Sequence, residues 1–250
     1  MSVGASELAV QAIVHRAEDR YNSERHRLLV ATDRLFGGLM IGQWIFAIVV
    51  ALTVSPWGWE GKVKTVHMHV WTALILGGII SSLPLALVAL RPGSALTRHV
   101  VAGAQMLWSA LLIHLTGGRI ETHFHVFGSL GILASYRDWT VLLTATVVVA
   151  ADHLIRGLVW PESVYGIVNP EWWRFLEHAF WVVFAISFLV LICRRGLRDL
   201  RALAERTAEL EALSESEWRK TSVLDRAAVG ATSGAVSAGM PVASGNVPVR

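Results

Sequence analysis

The chain has 250 residues, 54% of them hydrophobic and 16% charged, including 11 Trp and 10 His. Soluble domains average about 25% charged residues. Here the charges are absent altogether from residues 35–55, 65–90 and 99–118, which excludes an ordinary soluble enzyme and predicts an all-α, polytopic membrane protein. The formal charge of +3 is too small for a nucleic-acid binder, and the lone Cys193 excludes an intramolecular disulfide or a multi-cysteine metal site.

Residues 1–34 are polar and heavily charged, so they read as a cytoplasmic helical segment and not as a signal peptide. A transmembrane domain is expected over 35–193, with about six spans at 35–56, 66–90, 98–117, 120–136, 139–160 and 172–193. A full crossing takes roughly 20 residues, so 120–136 is marginal and its rival reading is a re-entrant helix. Residues 194–220 read as a cytoplasmic helix or coiled-coil stalk. Leu200, Leu203, Leu210 and Leu213 form a partial seam within 197–219, interrupted by the polar Thr207, and a homodimer through that seam is expected. The Ala-, Gly- and Ser-rich tail, 221–250, reads as disordered.

Basic residues set the orientation. Arg16, Arg20, Arg25, Arg27 and Arg34 precede the first span, Arg91, Arg98 and Arg137 lie in alternate loops, and Arg194, Arg195, Arg198, Arg201 and Arg206 follow the sixth. The opposite loops hold Lys62, Lys64, Arg119, Arg156 and Arg174. The positive-inside rule therefore puts both termini in the cytoplasm, and an even span count agrees. Trp57, Trp59, Trp139, Trp160, Trp172 and Trp173 stand where an aromatic belt belongs.

With that orientation the histidines sort. His67, His69, His114, His123, His125, His153 and His178 all fall in the outer half of the bilayer or at its outer interface, joined by Glu121, Asp152 and Glu177. Polar groups at that depth need partners. A transition metal best explains so many imidazoles: Cu, Fe or Zn, with the carboxylates as further ligands or as orienting acceptors. Haem b between two histidines is an alternative, and a proton-carrying or pH-sensing network is another. His67 and His69 point roughly 200° apart on a helix, as do His123 and His125, so which member of each pair faces inward stays open. Asp152–His153 and Glu177–His178 are adjacent dyads, each able to aim its His at the bundle and its carboxylate at a neighbouring helix. The Gly117–Gly118 turn is expected to fold Glu121 back on His114.

The run HLTGGRIETHFHVFGSLGILASYRDW from His114 to Trp139, followed by TVVVAADHLIRGLVWPESVYG from Thr146 and WWRFLEHAFWVVF from Trp172, resembles a histidine-rich multi-helix membrane input region. That region stands ahead of bacterial histidine kinases, PAS-type sensors and chemotaxis-type transducers. The resemblance covers roughly residues 10–215. It implies a sensor in a bacterial inner membrane, with His114, Glu121, His123, His125, Asp152, His153, Glu177 and His178 as signature positions. No kinase histidine box, nucleotide-binding segment or methyl-accepting hairpin follows 197–219, so a separate signalling partner is expected. The other function classes that the residues allow are a membrane metallo-oxidoreductase (di-iron, copper or haem b) and a proton or metal ion transporter.

Overall fold

The computed structural model describes the backbone of residues 2–237 and the side chains of residues 7–229. Its elements run α1 (Ser2–Val54), a hairpin of β1 (Trp57–Glu60) and β2 (Val63–Val66), α2 (Met68–Leu90), α3 (Ala95–Leu115), α4 (Ile120–Leu133), α5 (Trp139–Val159), the one-turn α6 (Glu162–Tyr165) and α7 (Arg174–Ser237). The fold is therefore helical, and the small hairpin, closed at Gly61, is an addition that the apolar pattern did not announce.

Among the described residues four helices are long and apolar enough to cross a membrane, not six: α1, α2, α5 and α7. The expected spans at 98–117 and 120–136 do not meet that measure, for two different reasons. Helix α4 has 14 residues, about 21 Å of rise, too short for a hydrocarbon core of about 30 Å. Helix α3 has the length but carries Arg98, His99, Gln105 and His114. It tolerates them because it is the centre of the bundle. Thirteen of its 21 residues are buried, against none of the most apolar stretch of α7. A helix wrapped by protein needs partners for its polar groups, not apolarity on every face. Gln105 donates to Ser129 Oγ (2.9 Å) and the Trp108 indole to Ser81 Oγ (3.2 Å).

The chain divides into two units. In residues 21–201, α3 packs against α2, α4 and α5. Helix α2 opens with a wide π-type turn at Thr72–Leu76, whose Leu74 carbonyl takes the indole proton of Trp44 at 3.1 Å. Directly after it, Gly77 and Gly78 leave room for aromatic rings: a Cβ at Gly77 would stand 2.8 Å from both Trp44 and Trp108. At the far end of the bundle Asp33, fully buried, accepts from the Gly93 amide (2.6 Å) and the Tyr136 hydroxyl (2.7 Å), while Arg98 pairs with Asp138 at 2.9 Å.

The second unit joins residues 1–20 to 202–250. Within it the helices run antiparallel, since Arg16 pairs with Glu215 and Arg20 with Glu211. The buried residues there are small: Ala17, Ala204 and Ala208. Leu203, Leu210 and Leu213 of the expected seam stay exposed. Helix α7 continues through 221–237, part of the tail expected to be disordered, where its alanines favour helix. Residues 238–250 lie outside the described residues.

Candidate functional site

The seven histidines separate into three groups. The first lies where α4 begins, α5 ends and α7 begins. The ring centroids of His123 and His153 are 5.5 Å apart, those of His123 and His178 5.3 Å, and those of His153 and His178 6.0 Å. Two of the rings are oriented through Nδ1: His123 Nδ1 bonds the Arg119 carbonyl one turn back (2.9 Å), and His178 Nδ1 bonds the Arg174 carbonyl likewise (3.0 Å). His153 Nδ1 is buried 3.2 Å from Asp152 Oδ2 but has no hydrogen-bond partner among the described residues. Nε2 of His123 is buried and has no hydrogen-bond partner among the described residues. The three rings line one wall of a cavity of about 740 Å³ between α4, α5 and α7. Its other walls are mainly apolar and include Phe127, Val149, Val182 and Phe184. Phe124 and Trp181 on its rim are exposed. Such faces suit lipid better than water.

The second group lies where the hairpin meets α2 and α3 ends. His67 caps α2 by accepting the His69 amide proton (3.1 Å), and its ring centroid is 4.3 Å from that of His69. His69 Nδ1 meets Ser55 Oγ at 2.8 Å, and its ring is 5.0 Å from that of His114. His114 Nδ1 meets Ser163 Oγ of α6 at 3.0 Å. That contact depends on glycines. Gly117, Gly118 and Gly166 all have positive φ, and a Cβ on Gly118 would stand 2.2 Å from the Gly166 amide nitrogen. Only a bare backbone lets the turn after α3 press against the turn after α6.

His125 forms the third group alone. Gln43 Nε2 donates to its Nε2 (3.0 Å), which assigns the ring proton to Nδ1 beside Ser109 Oγ (2.8 Å). The members of the pair His123 and His125 thus both face protein, on opposite sides of α4. Both ring nitrogens of His125 are committed to structural partners.

The carboxylates sort differently. Asp152 is clamped by Arg156 through Nε (2.7 Å) and Nη2 (2.6 Å), on its own helix and not on a neighbour. Arg156 also donates to Ser163 Oγ (2.8 Å), so Asp152, Arg156 and Ser163 run from the His153 group to His114. Glu121 is exposed, 3.6 Å from Arg119, and the Gly117–Gly118 turn is closed by Thr116 and Thr122 (2.8 Å). The contact expected between Glu121 and His114 is replaced by these pairs. Glu177 is exposed on the cavity wall. Sequence reasoning passed over Ser55, Ser163 and Ser109, because a lone hydroxyl carries no pattern of its own.

Among the described residues no group of three or more His, Cys, Asp or Glu side chains is placed to hold a metal ion. No family model matches the chain, and no solved structure matches it. The chain is similar to a transducer. Over 151 residues it is 27% identical to "Transducer protein Htr8" of Halobacterium salinarum, a stretch covering 55% of this chain and 23% of that protein. The chain thus matches less than a quarter of that relative's length. The likeness supports a sensor or transducer-type module in general terms. The relative is archaeal, so it lends no support to the bacterial source and inner-membrane location that the resemblance implied.

Proposed function

We propose that this chain is the membrane-embedded input module of a sensor, and that its input site is a transition-metal centre at the His123–His153–His178 wall of the cavity. One observation carries the reading: three imidazoles from three helices stand with ring centroids 5.3 to 6.0 Å apart, and two of them are anchored through Nδ1 on a backbone carbonyl, which directs their Nε2 away from the anchor. Metal-bound histidines use their second nitrogen in this way, and the carbonyl or carboxylate acceptor fixes the tautomer. Metal–nitrogen bonds of about 2.0 Å at tetrahedral angles place imidazole centroids roughly 5 Å apart, close to the spacing found here. As they stand the rings form no metal site, so binding of Cu, Fe or Zn requires them to rearrange, and a rearrangement that moves their helices is the condition for a ligand to shift an equilibrium.

In this reading α3 also crosses the bilayer as the shielded centre, and α4 with the turn after it forms the remaining segment. Six segments put both ends of the chain on one side of the membrane. The leucines left exposed on α7, Leu203, Leu210 and Leu213, serve contact with a second copy.

Metal analysis of the purified protein tests the centre. Stoichiometric uptake of Zn or Cu is expected, reduced at least tenfold in His123→Ala and in His178→Ala, with His125→Ala binding as the parent does. No uptake by the parent chain overturns the metal centre.

A further inference from the structure

We infer that the cavity between α4, α5 and α7 binds a neutral, membrane-dissolved phenol (a mono- or dihydroxybenzene with an apolar tail), its hydroxyl held by His123 and Arg174. The inference goes beyond the metal reading and does not need it. The phenol takes the ring arrangement that the structure shows, whereas a metal requires another, so the two occupants oppose one another.

Two residues that line the cavity carry buried atoms without a hydrogen-bond partner among the described residues, and these atoms are of opposite kinds. The Arg119 carbonyl accepts from His123 Nδ1, so the neutral ring keeps its proton there and leaves a bare lone pair on the buried Nε2. The Arg174 guanidinium reaches Glu171 through Nη2 (3.1 Å), while its Nε is a buried donor. Buried polar groups are normally paired, so the first calls for a donor and the second for an acceptor. A hydroxyl is both. An ion fits less well: Glu177 on the cavity wall repels an anion, and Arg174 repels a cation.

The rest of the lining describes the body of the ligand. Phe124, Phe127, Phe175, Trp181 and Phe184 surround the cavity, and ring-on-ring contacts with them favour an aromatic head over an aliphatic alcohol. Along α7 the polar residues Arg174 and His178 sit in the first turns, and the lining continues from Arg174 to Ala185, about 16 Å, through apolar residues such as Val182. A volume of about 740 Å³ falls in the range of organic ligands and has room for a ring with a tail. The exposed Phe124 and Trp181 at the rim put the mouth against lipid, the phase from which such a molecule enters. A tailed phenol settles in a bilayer with its hydroxyl toward the interface and its tail in hydrocarbon, as tyrosine side chains do. That orientation matches the polar and apolar ends of this space.

The test uses the full chain in phosphatidylcholine nanodiscs with a chelator present, so that no metal takes part. Para-heptylphenol should bind saturably, above its partition into empty discs. Its methyl ether accepts a hydrogen bond but cannot donate one, and should bind about tenfold more weakly. In histidine-labelled protein the phenol, and not the ether, should move the nitrogen-15 signal of His123 Nε2. His123→Phe should bring the phenol down to the affinity of the ether. Arg174→Gln should weaken both, and so should Ala150→Phe, which fills the cavity. Where a variant does not fold, the ratio of phenol to ether in the parent chain decides. No saturable binding, equal binding of phenol and ether, or a His123 signal that the phenol leaves in place overturns the inference. Phenol binding by a chain that takes up no Zn or Cu overturns the metal centre and leaves this inference standing. Metal uptake with no phenol binding does the reverse.

Discussion

At the scale of single residues, the same amino acid does three different things here, and partners decide which. His125 has both nitrogens engaged by Gln43 and Ser109, while His123, two positions earlier, has one nitrogen engaged and one buried and free. His125→Ala should therefore lower stability by about 1–3 kcal/mol, the cost of stranding buried polar groups. Thermal unfolding in detergent, read beside metal content, separates this loss from the metal defect of His123→Ala. Asp138, before α5 and outside the spanning helices, offers a pH test. Burial pushes its carboxyl upward, but the Thr140 hydroxyl and amide together with Arg98 outweigh that and hold it below the usual carboxylate range. A group depressed in the folded state stabilises above its unfolded pKa, and the contribution is lost as pH falls through the folded value. Acid unfolding of Asp138→Asn should be flatter in the region below about pH 4 than that of the parent chain. The sequence singled out seven histidines by their expected depth, and the structure distributes them over three groups. Their grouping was not legible, because helical periodicity gives a side chain's bearing around its own axis and says nothing of how neighbouring helices are rotated.

At the scale of elements, what the pattern of apolar residues reports is contact with lipid, and that explains where it succeeded. Helices α1, α2, α5 and α7 are long and apolar enough to cross a membrane, and they announce themselves. Helix α3 is shielded by its neighbours and α4 is short, so neither meets the measure of a span that the sequence pattern suggested for them. The turns carry a different signal, glycine, and one of them is a good place to probe the link between elements. Gly118→Ala puts a Cβ within 2.2 Å of the Gly166 nitrogen at a φ of +73°. Backbone strain and the forced separation of the two turns should cost more than about 1 kcal/mol. The same change should pull Ser163 away from His114, since both turns frame that 3.0 Å contact. A lower unfolding temperature is the expected outcome, together with a perturbed His114 ring signal in nitrogen-15 spectra of histidine-labelled protein. An unshifted His114 signal would mean that α6 holds its place by other contacts.

At the scale of the whole molecule, α7 is the one helix that carries both a cavity residue and the exposed leucines. It begins beside His178 and continues through Leu203, Leu210 and Leu213. In the proposed input reading, a shift of α7 at the cavity is passed along this helix, and the direction in which the leucine face points is what a downstream partner reads. Joining the chain after residue 220 to the catalytic half of a dimeric histidine kinase makes that reading measurable. Metal addition should change autophosphorylation of the fusion in vesicles, and His178→Ala should abolish the change. Inserting two residues after Arg201 rotates everything beyond by roughly 200° and should alter or invert the response, whereas inserting seven, close to two full turns, should largely restore it. Leu203→Glu with Leu210→Glu should remove the response by separating the copies, seen as loss of cysteine cross-linking between them. A response indifferent to helical phase would mean that α7 does not transmit the signal as a rotating or sliding rod, whatever the cavity binds.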